Sequence, residues 1–125
     1  MAGENLISRA FGRTIRRVTK GLVPETDVFD VEGEVLLDVR AEDEFSWGHA
    51  PKSVHIPLYE LPVRLDEIPA NRPLFVICKL GSRSAQAVMW LHSRGIDAVN
   101  VHGGLRAWVE AGLPLESDGP RPWLV

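Results

Sequence analysis

Cys78 is the only cysteine in a chain of 125 residues, and it heads the segment Cys78-Lys79-Leu80-Gly81-Ser82-Arg83. Sulfur chemistry runs through the thiolate, so the question for such a residue is what would favour the anion over a free thiol of pKa about 8.5. Three features of the segment would do so. Lys79 and Arg83 bring positive charge. Gly81 lets the chain curl so that backbone N–H groups turn inward, making a nest for an anionic centre. From Ser84 onward the residues follow a helical pattern, and a helix N-terminus presents unpaired N–H groups and the positive end of its dipole. Ser82 or Ser84 is placed to cap that helix. A cysteine that only fills a core gains nothing from the Lys-x-Gly-x-Arg that follows it.

The elements that must hold this segment can be read from periodicity. Leu74-Phe75-Val76-Ile77 is apolar throughout, as a central strand of a parallel sheet tends to be, and it ends on Cys78. Val35-Leu36-Leu37-Asp38-Val39, Ser53-Val54-His55-Ile56 and Ala98-Val99-Asn100-Val101 suggest three further strands. Residues 41–47 predict a short helix stopped by Gly48 and Pro51, and 84–94 the best helix, with Ala85, Val88, Met89 and Leu91 on its apolar side and Gly95 as its stop. Residues 105–111 predict a last helix ended by Gly112 and Pro114. Leu58, Leu61, Leu65 and Ile68 fall at helical spacing, interrupted early by Pro62. Strands alternating with helices argue for an α/β sandwich with a parallel sheet covered on both faces. In such sheets functional sites lie beyond the carboxyl ends of the strands, which is where Cys78 falls.

Residues 1–22 differ in texture. Arg9, Arg13, Arg16, Arg17 and Lys20 stand against Glu4 alone, in a chain whose net charge is −3. Leu6, Ile7, Ala10, Phe11, Thr14, Ile15 and Val18 fall at helical spacing, which predicts a basic amphipathic segment. It reads as a terminal helix on the domain, as an arm for an acidic partner or membrane surface, or as an organelle transit peptide. The domain proper is expected over 23–118, with a tail over 119–125. The acidic balance gives no reason to expect nucleic acid, and no apolar run approaches the roughly 18 residues that span a bilayer. One cysteine forms no internal disulfide, so a reducing, cytoplasmic setting is the default. Asp38 and Arg40 are expected to pair and tie neighbouring loops. His49 and His55 lack metal-ligand spacing, His92 and His102 read as ordinary hydrogen-bonded or surface histidines, and Trp47, Trp90 and Trp108 read as core aromatics.

Five fragments in order carry a resemblance: Leu37-Asp38-Val39-Arg40 with Glu42, Glu44 and Phe45; Gly48-His49-Ala50-Pro51 with Ser53-Val54-His55-Ile56-Pro57; Val76 through Ser84; Gly103-Gly104-Leu105 with Ala107-Trp108; and Ala111-Gly112-Leu113-Pro114. Together they resemble the rhodanese (sulfurtransferase) domain family, in its small single-domain form, over roughly residues 33–115. The resemblance implies a three-layer α/β sandwich, a central mostly parallel sheet flanked by helices. It implies that Cys78 is the catalytic sulfur carrier, taking a sulfane sulfur from thiosulfate or a similar anionic donor as a persulfide and yielding it to a thiol or cyanide. The N–H groups of Lys79, Leu80, Gly81, Ser82 and Arg83 would then cradle the persulfide, and the Lys79 and Arg83 side chains would attract the donor. Neither a metal nor an organic cofactor is required.

Two other readings compete. A rhodanese-like binding or sulfur-relay module would use residues 1–22 to recognise a protein partner and turn over small donors poorly. A Cys-dependent phosphatase or arsenate reductase would use the same Cys-to-Arg loop. Four residues separate Cys78 from Arg83, one fewer than in the phosphatase relatives of this fold. A single sulfur suits the tighter ring, a tetrahedral oxyanion the roomier one. A reductase with its own resolving thiol has no second cysteine to use.

Overall fold

A strand turns successive side chains to opposite faces, so an unbroken apolar run needs cover on both. In the computed structural model, which describes residues 7–10, 13–17, 23–119 and 121–125, that run is β6 (Leu74–Ile77), buried along its whole length. It belongs to a seven-stranded sheet with β1 (Ile7–Ala10), β2 (Arg13–Arg17), β3 (Pro24–Thr26), β4 (Leu36–Asp38), β5 (Ser53–His55) and β7 (Ala98–Val101). The spatial order is β1-β2-β3-β7-β6-β4-β5. From β3 to β5 all pairings are parallel, and β1 and β2 extend the β3 edge in antiparallel fashion. Helices α1 (Glu42–Trp47), α2 (Ser82–Ser93) and α3 (Gly104–Glu110) complete the expected mostly parallel α/β sandwich.

Side-chain parity divides the core in two. Leu37 of β4, Leu74 and Val76 of β6 and Ala98 of β7 face α2, where they meet Ala87, Val88 and Leu91 together with Ile56 and Leu61. Cys78 continues the parity of Leu74 and Val76, so its side chain enters this same layer. Leu36, Phe75, Ile77, Val99 and Val101 face the other way, against Leu105 and Trp108 of α3. Trp108 is fully packed, and its indole N–H donates to the Pro114 carbonyl at 2.7 Å.

At the end of β4 the expected Asp38–Arg40 pair forms with both side chains wholly removed from solvent. The guanidinium donates to both Asp38 carboxylate oxygens at 2.8–3.1 Å, to the Gly48 carbonyl at 2.7 Å and to the Glu44 carbonyl at 3.3 Å. It therefore joins the strand to the last turn of α1.

Several expectations are corrected. Within 1–22, the helical reading gives way to antiparallel strands at Ile7–Ala10 and Arg13–Arg17, and the rest of that segment lies outside the described residues. Ala10 pairs with Arg13 across a two-residue connection. The two paired runs contain the β-branched Ile7, Thr14 and Ile15, which suit strands. Residues 58–68 form two short 3-10 helices, Leu58–Val63 and Leu65–Glu67, because Pro62 lacks the N–H that a regular helix would use. α2 starts at Ser82, and its buried stripe is Ser84, Ala87, Val88 and Leu91, leaving Met89 half exposed. Trp47 is exposed rather than core, while Trp90 packs partly against the α2-side core with the Arg94 guanidinium 5.1 Å from its ring centre. The tail is tied back to α1 by backbone bonds from Asp118 to Ser46 and from Trp123 to Trp47.

Replacing Arg40 with Met leaves the Asp38 carboxylate buried and unpaired, at an expected cost of about 3–5 kcal/mol. Urea unfolding should show the midpoint falling with little change in slope. Adding Asp38→Asn removes the stranded charge and recovers part of the loss. An unchanged midpoint in the single variant would refute the structural role given to this pair.

Candidate active site

Because β3, β4, β5, β6 and β7 run parallel, their carboxyl ends lie on one edge of the sheet. The segments that follow them meet there: Arg40 after β4, Pro57 after β5, Cys78 after β6 and Gly103-Gly104 after β7. Cys78 is buried, at 1% exposure, and lies immediately after the last residue of β6. Its Sγ accepts from the Gly81 N–H at 3.1 Å and lies 3.2 Å from the Ser84 hydroxyl oxygen. The curl that this requires is made at Gly81, where φ is +114°, a region closed to most side chains. Gly81 is also the N-cap of α2, with no side-chain cap bond. Neither Ser82 nor Ser84 caps the helix: Ser82 is exposed, and Ser84 lies on the buried stripe with its hydroxyl directed inward.

The carbonyls of this loop have acceptor duties elsewhere. The first N–H groups of α3 take two of them, Leu105 donating to Cys78 O at 2.9 Å and Arg106 to Lys79 O at 3.0 Å. Gly81 O accepts from Ala85 N–H at 3.1 Å and from the Asn100 amide at 3.2 Å. A trans peptide points its N–H opposite its C=O. Drawing the Cys78 and Lys79 carbonyls toward α3 therefore turns the Lys79 and Leu80 N–H groups away from it. The close approach depends on Gly104, where φ is +59° and an added Cβ would lie 2.5 Å from both the Cys78 and Lys79 carbonyl oxygens.

The sequence places two cations in the loop, and the structure balances one of them. Arg83 donates to Glu44 of α1 through both terminal nitrogens, at 2.6 and 3.0 Å. Glu44 is held in turn by the Ala41 N–H at 3.0 Å. Its hydrogen bond from Arg83 keeps the Glu44 carboxyl below the usual carboxylate range, and the same bond raises the Arg83 guanidinium. Lys79 is partly buried and Leu80 stands 58% exposed at the rim.

Around this centre, Phe45 is stacked between His49 and His55, at ring separations of 3.9 and 4.3 Å. His49 Nδ1 donates to the Phe45 carbonyl and His55 Nε2 to the Arg40 carbonyl, both at 2.7 Å. His92 Nε2 donates to the Ala98 carbonyl at 2.8 Å. Among the described residues no group of three His, Cys, Asp or Glu side chains converges as a metal site, and no helix is long and apolar enough to cross a membrane.

Sequence reading missed Ser84 as a partner of the thiol, and with it Asn100, Glu25, Glu44 and Gly104. Two of these left a signal. Ser84 sits at a core position of the α2 stripe, and Asn100 interrupts an otherwise apolar strand; each is a polar residue where burial demands a partner.

A rhodanese-like domain model matches residues 26–111. The chain belongs to the rhodanese-like domain family. It is 37% identical over 87 residues to a sulfurtransferase of Allochromatium vinosum, which covers 69% of this chain and 81% of that protein. It is 30% identical over 92 residues to a thiosulfate sulfurtransferase of Actinobacillus pleuropneumoniae, covering 73% and 85% respectively. The crystal structure of a rhodanese-related protein from Thermoplasma volcanium aligns with a TM-score of 0.68 at 32% identity, over 74% of this chain and 96% of that one. In this rhodanese-like domain the family match begins at Thr26, so β1 and β2 lie outside the matched residues.

Two outcomes follow for the rhodanese-like loop. Gly104→Ala must displace either α3 or the Cys78 loop, and its left-handed backbone adds about 1–2 kcal/mol of strain. Chemical denaturation should register at least that loss, and a variant as stable as the parent would contradict the tight approach. The Glu44–Arg83 pair adds stability that is present above the ordinary Glu value of 4.5 and is lost as pH falls through the lowered value in the folded protein. Because the pair is partly exposed, the effect should stay below about 1 kcal/mol. Thermal melts from pH 7 to pH 3 should show parent and Glu44→Gln converging at the acid end.

Proposed function

We propose that this protein is a sulfurtransferase in which Cys78 carries the sulfur. The observation that carries this reading is the Sγ of Cys78, buried at the strand end, facing the Gly81 N–H and the Ser84 hydroxyl in a loop whose carbonyls are engaged elsewhere. Such a setting offers the sulfur a backbone N–H donor at 3.1 Å and the start of α2. Membership of the rhodanese-like family and the names of its relatives support the same chemistry.

In the first half-reaction the Cys78 thiolate attacks the outer sulfur of a donor such as thiosulfate. A bond forms between Sγ and that sulfur as the donor's S–S bond breaks, and the electron pair departs with sulfite. In the second, a thiolate or cyanide attacks the outer sulfur of the persulfide, and the bonding pair returns to Sγ. The sequence of two displacements divides one difficult transfer into two easier ones. It draws its electrons from donor and acceptor and needs neither metal nor organic cofactor. The Lys79, Leu80, Gly81, Ser82 and Arg83 N–H groups form the cradle for the outer sulfur in this scheme, with Lys79 as the cation left to attract the donor. Arg83 has a different part: bound to Glu44, it braces the loop against α1. That charge balance also weakens the phosphatase alternative, in which Arg83 would have to turn its donors to a tetrahedral dianion.

Intact mass after incubation with thiosulfate tests the proposal. A gain of about 32 Da that cyanide removes and Cys78→Ser abolishes is expected. Absence of the adduct with thiosulfate and with a low-molecular-weight persulfide would overturn it in favour of a binding module.

A further inference from the structure

The hydrogen bonds behind Cys78 leave each donor a single assignment. Asn100 is buried, at 1% exposure. Its Nδ2 lies 3.0 Å from Glu25 Oε2 and 3.2 Å from the Gly81 carbonyl oxygen. A carboxylate and a carbonyl only accept, so both amide protons are spent there and Oδ1 must face Ser84. Oδ1 only accepts, so the Ser84 hydroxyl, 2.5 Å away, donates to it. The Ser84 oxygen then presents lone pairs to Sγ at 3.2 Å, and that contact is a hydrogen bond only if Cys78 supplies the proton. With the Gly81 N–H closing back on Sγ, the arrangement is a ring of four bonds: Sγ–H to Ser84, Ser84 to Asn100, Asn100 to the Gly81 carbonyl, and the Gly81 N–H to Sγ. As drawn, the ring is complete for the thiol.

We infer that Asn100 is a positioning residue which, by holding the Ser84 hydroxyl, sets how readily Cys78 becomes a thiolate. This deepens the sulfurtransferase reading and rests on it. When the S–H bond breaks, its proton leaves to solvent and the electron pair stays on Sγ. The Ser84 lone pairs would then face an anion, so the hydroxyl rotates to donate to Sγ instead. Asn100 Oδ1 loses its donor in a buried position, which opposes the change. The hydroxyl thus has two settings, one serving Asn100 and the thiol, the other serving the thiolate and, after transfer, the sulfur regenerated as leaving group. Other charged groups stand around the thiol. These are Arg83 of α2 with Glu44 of α1, the Asp38–Arg40 pair at the end of β4, Lys79 in the loop, and Glu25 of β3 with His102 3.3 Å behind it.

The pH profile of iodoacetamide reaction at Cys78, followed by intact mass, tests the inference in three proteins. Asn100→Ala frees the hydroxyl for the sulfur, and the midpoint of the profile should move to lower pH than in the parent. Ser84→Ala removes the donor that the anion needs, and the midpoint should move to higher pH. Ser84→Thr retains the hydroxyl and should bring the midpoint back toward the parent. Loosening of the loop would change reaction rates at all pH values but would not move the two alanine midpoints in opposite directions. Shifts of the same sign, or none, would overturn the role given to Asn100. The readout needs no sulfur donor, so its failure is distinct from failure of the persulfide test.

Discussion

A guanidinium shut away from water must find acceptors for its N–H groups, and Arg40 finds them on three pieces of chain: Asp38 at the strand end, and the Glu44 and Gly48 carbonyls in and just beyond α1. Removing both charges from water costs about as much as their attraction returns. The pair therefore contributes position more than stability. It fixes the short helix α1 over the carboxyl end of β4, and from there Glu44 reaches Arg83, a residue 39 positions later in the chain. The thiol loop is braced at its far end by a carboxylate whose place was settled by a buried ion pair two elements away. The same pair leaves the Arg40 carbonyl to His55, which stacks on Phe45, so β5 is drawn into the arrangement as well.

The near end of the loop is governed by backbone alone. A short α3, seven residues long, contributes its first N–H groups to carbonyls of the Cys78 loop rather than leaving them to solvent. That contact satisfies helix donors and loop carbonyls at once. It works only because position 104 carries no Cβ, so a residue with no side chain controls the direction of two peptide groups beside the thiol.

Much of this was readable before any coordinates. The apolar run of β6, the single cysteine at its end and the Gly-containing loop before a helix are local features, and local periodicity carries them. The Asp38–Arg40 pair was legible because two charges two residues apart at a buried strand end have few other options. What could not be read depends on contacts distant in sequence. Glu44 looked like one acid among three at the start of a short helix, and nothing local distinguishes the one that meets Arg83. Gly104 stood just before the helix predicted over 105–111 with no sign of its close contact, because the surface it presses against comes from residues 78 and 79. The N-terminal segment misled for a different reason. Its basic and apolar residues fit a helical period, yet its two paired runs are drawn to the open edge of β3, where ladder hydrogen bonds are on offer.

Two pairs of opposite charge stand around the thiol, Asp38 with Arg40 and Glu44 with Arg83. A neutral pair a few ångströms away exerts a far weaker field than a lone charge, because its two members nearly cancel. With Arg83 balanced in this way, the state of the sulfur falls to groups in direct contact with it. Those are one peptide N–H, a helix start and one hydroxyl whose proton can point in two directions. Dipoles of this kind are small, but they act at about 3 Å in a site with little water, where their orientation counts most. Helix and strand periodicity both aim polar residues at that spot, Ser84 from α2 and Asn100 from β7, on faces that otherwise carry Ala87, Val88 and Leu91 on the helix and Ala98 on the strand. Two polar side chains held at such cost in a core are best understood by the sulfur they jointly address.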